Sequence, residues 1–194
     1  MSLTVRCPWV SLSDQAYIKY HDHEWGVPVF DDTVLYEFLV LESFQAGLSW
    51  RTILSKRARF KKVFSGFDPG KVAKFSDNKV RDLLGDKEII RNKAKIESAI
   101  NNAKQFVKIQ KEFGSFSKYL WSWVGDKPIL NRYKSIKEYP KFTTEAVLLS
   151  KDLAKRGMRF MGPVTIYSLM QAVGLVNDHV TSCYRYEEIK SSKN

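Results

Sequence analysis

The sequence is poor in cysteine and histidine, and it has no long apolar run. Its 194 residues include two cysteines and three histidines. No segment approaches the roughly 18 consecutive apolar residues that a membrane span requires, which excludes a membrane-spanning helix. Residues 1–14 also lack the apolar stretch of a signal peptide, so we expect a soluble, cytoplasmic protein. In such a chain, Cys7 and Cys183 are better explained as metal ligands or buried thiols than as a disulfide.

Acidic residues are too few to balance the basic ones. Lysine and arginine number 32 and aspartate and glutamate 21, a formal net charge of +11. This excess makes a polyanion a plausible partner, nucleic acid first, with a solvated basic surface as the alternative. Hydrophobic residues make up 44% of the chain, enough for a real core. We expect one domain over residues 1–186 and a disordered tail over residues 187–194.

Helical periodicity runs through almost the whole chain, with no internal repeat and no alternating strand pattern of any length. Ser13 or Asp14 can cap a short helix, and residues 33–44 carry apolar side chains at helical spacing. The clearest helix spans residues 91–113, and Pro163 stands at the start of the last strong one. The sequence therefore predicts an all-α fold.

The few cysteines and histidines form one possible metal site. His179 and Cys183 are four residues apart, so a helical turn would put both on one face. Cys7 and either His21 or His23 could complete a tetrahedral set of two thiolates and two imidazoles, which suits zinc. Four protein ligands leave no open position, so such a site would be structural. The alternative is two buried thiols with partly exposed histidines.

The run "KRGMRFMGPVT", residues 155–165, joins two predicted helices through a short turn. Gly157 and Gly162 permit tight backbone geometry, and the following helix terminus offers free amides beside basic residues. This pattern fits a helix-hairpin-helix clamp on a DNA backbone, or an ordinary interhelical turn.

The run "LESFQAGLSW", residues 41–50, sets a carboxylate in an apolar setting. Glu42 ends an apolar helix, an apolar loop tip follows, and Trp50 comes next. A glutamate on an apolar stretch costs free energy unless it is paired or functional. The alternative is that Glu42 lies on the solvent edge of an amphipathic helix and that Trp50 is core.

Together with "YHDHEWG" and "GLVNDHV", these two runs closely resemble the 3-methyladenine DNA glycosylase I family, nearly from end to end. The resemblance implies an all-α, helix-hairpin-helix glycosylase of base excision repair. It implies one structural zinc ion (Zn2+) that joins the N- and C-terminal segments through Cys7, His21, His179 and Cys183. His23 falls outside that set.

The resemblance also implies the DNA site. The base pocket maps onto Tyr20, Glu42 and Trp50, with Trp9 and Trp25 as neighbouring aromatic candidates. Loop residues 45–48 match the segment that fills the space left by a flipped nucleotide, and Phe44 is assigned no contact. The DNA-binding residues implied in this loop and in the hairpin are Gln45, Gly47, Leu48, Gly157, Gly162 and Thr165. The implied partners are double-stranded DNA containing alkylated adenine and free 3-methyladenine as product, with no membrane and a monomeric enzyme.

The reaction implied by this family needs little activation of the leaving group. Alkylation at N3 makes adenine a cation whose bond to the sugar is already weak, so the enzyme must mainly flip and recognise the nucleotide. Tyr20 and Trp50 can offer π faces to that cation, and Glu42 can accept a hydrogen bond from the base or act as general base for water. Asn177 and Val164 stand where lyase-type relatives carry aspartate and lysine. We therefore expect a monofunctional glycosylase. The rivals are a related glycosylase with another lesion preference and a non-catalytic, zinc-stabilised DNA-binding module.

Overall fold

Helices account for most of residues 4–191, the part of the chain that the computed structural model describes. In chain order they are α1 (Gln15–His23), α2 (Asp32–Gln45), α3 (Trp50–Val63), α4 (Pro69–Val72), α5 (Asp77–Gly85), α6 (Lys93–Phe113), α7 (Phe116–Ser122), α8 (Thr144–Lys155), α9 (Pro163–Ala172) and α10 (Tyr184–Ser191). Two short strands, β1 (Ile129–Leu130) and β2 (Val176–Asn177), pair in parallel. The predicted all-α class is thus confirmed apart from this small pairing.

Most helices begin where a side chain can accept the free amide groups of the first turn. Asp14 accepts from two amides at the start of α1, and Thr143 caps α8. Ser76 caps α5 in the same way. Gly114 takes the left-handed conformation at φ +85°, which ends α6 because few other residues adopt it without strain. These local signals fix where the helices lie along the chain.

Helix α2 lies at the centre of the molecule. Residues 35–44 are all buried, and the helix contacts α3, α6, α7 and α9. A helix that is covered on every side normally carries apolar side chains all round. Glu37 and Glu42 are the buried acidic side chains of α2, so each needs a partner or a use. Glu37 has one, since it accepts a hydrogen bond from Arg57 at 2.6 Å.

Two sequence predictions are wrong. His179 and Cys183 do not share a helical turn, because they lie between β2 and α10 in a turn where the Cys183 amide donates to the Val180 carbonyl at 2.8 Å. The tail predicted from residue 187 onward is helical as far as Ser191. Ile189 explains this order, since it is buried and so fixes the helix against the body. Residues 192–194 lie outside the described part of the chain.

Within residues 4–191, no helix is both long enough and apolar enough to cross a lipid bilayer.

Candidate active site and metal centre

A cavity of about 280 Å³ opens beside the centre of the molecule. Its walls are mainly aromatic, with a few polar side chains between the rings. The aromatic members are Trp9, Tyr17, Tyr20, Trp25, Trp50 and Tyr139, and the polar ones are Glu42, Gln45, Ser168 and Gln171. All five residues predicted to form a base pocket therefore line one cavity. They come from the segment before α1, from α1, α2 and α3, and from the turn after α1.

Glu42 lies near the end of α2 and is 5% exposed. Its Oε2 is buried and has no hydrogen-bond partner among the described residues. Burial raises the pKa of Glu42 from its ordinary 4.5 to about 8, because the charged form is poorly solvated there. The alternative of a solvent-edge glutamate is therefore wrong. An unpaired, buried carboxyl group that lines a cavity is poised to receive a positively charged or hydrogen-bond-donating ligand.

Two aromatic rings stand beside this carboxyl group. The rings of Tyr20 and Trp50 are 5.3 Å apart, and both residues are buried. The pKa of Tyr20 lies well above its ordinary value, because the ring is buried and Glu42 is close. The indole N–H of Trp50 is buried and has no acceptor among the described residues. The cavity thus offers two π faces, one unpaired donor and one unpaired carboxylate oxygen.

A groove of about 210 Å³ continues from the cavity between the loop at residues 45–48 and the start of α9. Leu48 and Val164 face it from opposite sides and are 40% and 45% exposed. Lys95 of α6 holds the loop, because its ammonium donates to the carbonyls of Phe44 at 2.9 Å and Ala46 at 2.7 Å. Phe44 itself is fully buried and takes no part in the surface.

The hairpin between α8 and α9 is held by side chains of α6. Asn102 accepts from the Arg159 amide at 2.8 Å and donates to the Arg159 carbonyl at 2.8 Å. Gly157 adopts φ +91°, where glycine has little strain, whereas Gly162 is extended at φ −66° and precedes Pro163 of α9. No side chain caps the first turn of α9, so the amides there remain available to an anion, and Thr165 lies in that turn.

Several cavity residues were missed by the sequence reasoning. Tyr139 comes from a loop that reads as merely polar, and Ser168 and Gln171 lie three apart on α9. Their spacing could have indicated a shared face, but only the packing of α9 against α2 shows which surface that face meets. Asp178 lies behind them and is 1% exposed. Its carboxylate accepts hydrogen bonds from Tyr167, Gln171 and Asn131.

A second cluster brings together Cys7, His21, His179 and Cys183, all buried, with their ligand atoms within 4.8 Å of one another. The Sγ atom of Cys7 lies 3.4 Å from Nδ1 of His179. The Sγ atom of Cys183 lies 3.4 Å from Nε2 of His21 and 3.6 Å from Nδ1 of His179. These four groups could hold a metal ion. His23 is exposed and lies outside the cluster, as predicted.

Neighbouring groups fix both histidine rings of this cluster. Nδ1 of His21 contacts Asp22 at 2.8 Å, and Arg6 in turn donates to Asp22 at 2.7–3.0 Å. Nε2 of His179 contacts the carbonyl of Trp25 at 3.0 Å. Each outer nitrogen therefore donates its hydrogen to an oxygen, which leaves the inner nitrogen of each ring with a lone pair directed at the cluster.

The chain is similar to known proteins over most of its length. The model of the family described as methyladenine glycosylase matches residues 9–186. The chain is 44% identical over 181 residues to DNA-3-methyladenine glycosylase 1 of Escherichia coli, a match that covers 93% of this chain and 96% of the relative. It is 42% identical over 181 residues to DNA-3-methyladenine glycosylase of Haemophilus influenzae, a match that covers 93% of this chain and 97% of the relative.

A solved structure is similar over nearly the whole chain. It is a variant of 3-methyladenine DNA glycosylase I in complex with 3-methyladenine, and it superposes with a TM-score of 0.91. The two chains are 37% identical, with 97% of this chain and 99% of that chain covered. The two structures are thus similar over nearly the whole of both chains.

Proposed function

The chain belongs to the methyladenine glycosylase family, and from this we propose that it excises 3-methyladenine from alkylated DNA in base excision repair, with Glu42, Tyr20 and Trp50 as its base site. The observation that carries the assignment of residues is the unpaired carboxylate oxygen of Glu42 in an aromatic cavity. A buried carboxyl group without a partner is costly, and a cationic, hydrogen-bond-donating base would satisfy it.

The charge of the lesion explains why one carboxyl group is enough. N3-methyladenine in DNA is positively charged, and the base leaves the sugar as a neutral molecule. A ring cation in the cavity against the faces of Tyr20 and Trp50 that line it gains roughly 0.5–2 kcal/mol from each π face. Glu42 is neutral in the empty cavity at pH 7 because its pKa is about 8. The cation would lower that pKa, so Glu42 would ionise as the base binds and could then accept its N–H group.

DNA binding would use the loop at residues 45–48 and the hairpin as one surface. Leu48 is exposed at the loop tip and could fill the space that a flipped nucleotide leaves. The uncapped amides of α9 lie across the groove from it and could bind a phosphate of the same strand. The contacts we propose to DNA are therefore made by Gln45, Gly47 and Leu48 on the loop and Gly157, Gly162 and Thr165 on the hairpin. In this assignment the hairpin is a helix-hairpin-helix element.

We further propose that the enzyme has no lyase activity. No lysine or arginine is among the side chains that line the cavity within the described residues. The buried lysine Lys95 donates hydrogen bonds from its ammonium to two backbone carbonyls, those of Phe44 and Ala46. Reaction with an abasic sugar by Schiff-base formation would need a free amine in the cavity. Borohydride trapping on methylated DNA is expected to give no covalent adduct, and an adduct would disprove the proposal.

The ion that we propose for the cysteine and histidine cluster is Zn2+. Tetrahedral zinc, with bonds of about 2.3 Å to sulfur and 2.0–2.1 Å to nitrogen, puts sulfur and nitrogen about 3.5 Å apart. Three of the four sulfur–nitrogen separations in the cluster are 3.4–3.6 Å and fit that value. Bound zinc would cross-link segments far apart in sequence. Four protein ligands leave no position for a reacting water, so the site would be structural.

A base-release assay on methylated DNA tests the enzymatic proposal. Wild type should release 3-methyladenine in preference to 7-methylguanine and uracil, and Glu42→Gln should lose at least about 100-fold in release while it still binds DNA. Glu97→Gln changes a largely exposed glutamate of α6 in the same way and should retain full activity. Equal inactivity of wild type and Glu42→Gln would favour a non-catalytic DNA-binding module, and wild-type preference for another base would favour a different lesion.

A further inference from the structure

Gln171 of α9 is a polar cavity residue with a fixed orientation. It lines the cavity beside Glu42, and its Nε2 donates to the Asp178 carboxylate at 2.8 Å. A carboxylate can only accept, so the amide nitrogen must be the atom that faces Asp178. The amide oxygen of Gln171 then points away from Asp178. No donor among the described residues contacts that oxygen.

Asp178 is itself held firmly in place. It is 1% exposed, and its side chain also accepts from Tyr167 and from Asn131, the latter at 2.6 Å. Its backbone carbonyl accepts from Tyr139, another cavity residue. Rotation of this buried carboxylate would cost free energy, because each lost hydrogen bond would leave a buried polar group unpaired. The orientation of the Gln171 amide is therefore built into the fold.

We infer that Gln171 determines base specificity by accepting a hydrogen bond from the exocyclic amino group of adenine. This inference rests on the proposed function and deepens it. The amino group carries two N–H donors, and Glu42 and Gln171 each offer the cavity an oxygen acceptor without a protein donor. A base with a carbonyl oxygen at that ring position would place oxygen against the Gln171 oxygen. Such a base is rejected, since neither group can donate.

Asp178 is a positioning residue in this scheme. It does not line the cavity among the described residues, and it acts through the side chain that it orients. An asparagine at this position would offer both a donor and an acceptor, so the Gln171 amide could reverse. The reversed amide would present N–H groups to the cavity and would favour a carbonyl-bearing base.

Two free bases that carry an amino and a carbonyl group at this ring position give the sharpest test. We would measure the binding of 3-methyladenine and 3-methylhypoxanthine at one pH by tryptophan fluorescence. Gln171→Met is nearly isosteric and lacks the acceptor, so it should bind 3-methyladenine about five- to tenfold more weakly. Its affinity for 3-methylhypoxanthine should be unchanged or higher. Gln15→Met, an exposed change at the start of α1, should alter neither affinity.

Asp178→Asn should shift the ratio of the two affinities in the same direction, toward the carbonyl-bearing base. A purely structural role would weaken both bases equally and leave their ratio unchanged. The inference is overturned if Gln171→Met keeps the wild-type ratio, whatever the stability of Asp178→Asn. That outcome leaves the proposed function intact when wild type still releases 3-methyladenine from DNA. Failure of that release would instead overturn the proposed function.

Discussion

Glu42 links the stability of the protein to the ligand that we propose. The carboxyl group is buried without a partner for Oε2, so the empty protein holds it in its neutral form near pH 7. A bound cation would reverse that preference by supplying the missing partner. The residue is thus a local defect of the empty fold that becomes a favourable interaction in the complex, which is a common property of functional sites.

This defect predicts a pH-dependent effect of Glu42→Gln on stability. The pKa of Glu42 is about 8 in the folded protein against an ordinary 4.5, so the folded state holds the proton more tightly than the unfolded state. Wild type should therefore lose stability as pH rises from about 4.5 to 8, by up to about 4 kcal/mol. The glutamine variant lacks this loss. Urea unfolding at pH 5 and pH 9 measures the unfolding free energy of Glu42→Gln against that of wild type. The difference should grow in favour of the variant as pH rises, and a constant difference would contradict the raised pKa of Glu42.

The two histidines of "YHDHEWG" should differ in metal binding. His21 is fully buried with Nε2 in the four-residue cluster, whereas His23 is exposed. His21→Gln removes a ligand and should reduce bound zinc to well below one ion per chain. His23→Gln is the matched control and should keep one. Metal analysis of the purified proteins measures this difference. Equal loss of zinc in the two variants would exclude the cluster as the zinc site.

The sequence distinguishes some of these side chains and not others. His21 follows Tyr17 at helical spacing and matches the family pattern, so it could be separated from His23 in advance. Gln171 and Tyr139 could not be found in this way. Their role depends on how α9 and the loop after β1 pack around α2, and no local pattern encodes that packing. Glu42 was identified by its family resemblance, since its burial cannot be read from one turn of helix.

Helix α6 supports both parts of the proposed DNA surface. Lys95 binds the carbonyls at the loop of residues 45–48. Ser98 and Asn102, which follow one and two turns later in α6, form hydrogen bonds with the backbone of Arg159 in the hairpin. A single helix thus sets the separation of the loop and the hairpin. That spacing must match a nucleic-acid backbone for both to bind at once.

Lys95→Met should damage this surface more than the base cavity. The change leaves two loop carbonyls without their donor and should cost about 1–3 kcal/mol in unfolding free energy. We expect base release from duplex DNA to fall about tenfold or more, with the affinity for free 3-methyladenine nearly unchanged. Lys93→Met on the exposed face of α6 is the control and should leave both values unchanged. An equal loss in both measurements would show that Lys95 supports the cavity instead.

Local signals predicted the helices well where a cap was present. The starts of α1 and of α9 agree with the sequence prediction to within a residue or two, because Asp14 and Pro163 act through their own backbone neighbours. The segment around His179 was predicted incorrectly. Its spacing to Cys183 matches a helical turn, but the chain is drawn into the β1–β2 pairing and the ligand cluster instead. Long-range contacts override the local preference there.

The cluster of Cys7, His21, His179 and Cys183 shares two walls with the cavity. Trp9 packs its ring 5.3 Å from that of His21, and Trp25 packs 4.6 Å from that of His179. The same two tryptophans line the cavity and contact each other at 5.0 Å. A change in the cluster therefore reaches the base site through direct contact rather than over a distance.

Removal of the metal should consequently affect both stability and base binding. Free zinc at 1,000 times its Kd would add about 4 kcal/mol to the free energy of unfolding. Loss of that contribution corresponds to a Tm lower by roughly 8–16 °C for a chain of this size. The affinity for 3-methyladenine should also fall, because Trp9 and Trp25 lose their support. Thermal unfolding and ligand titration with and without a chelator measure these effects, and zinc should restore both. Unchanged values after verified metal loss would contradict this coupling.

The separation of the ligands along the chain also sets an order of events during synthesis. Cys7 and His179 are 172 residues apart, and His21 and Cys183 are 162 apart. The ribosome makes the chain from the N-terminus, so Tyr20, Glu42 and Trp50 all emerge while the second half of the cluster does not yet exist. A nascent chain therefore lacks the α9 side of its base pocket until Ser168 and Gln171 have emerged, and it cannot close the cluster before Cys183 has emerged. The last wall of the base pocket and the last two members of the cluster would in this way become available in close succession.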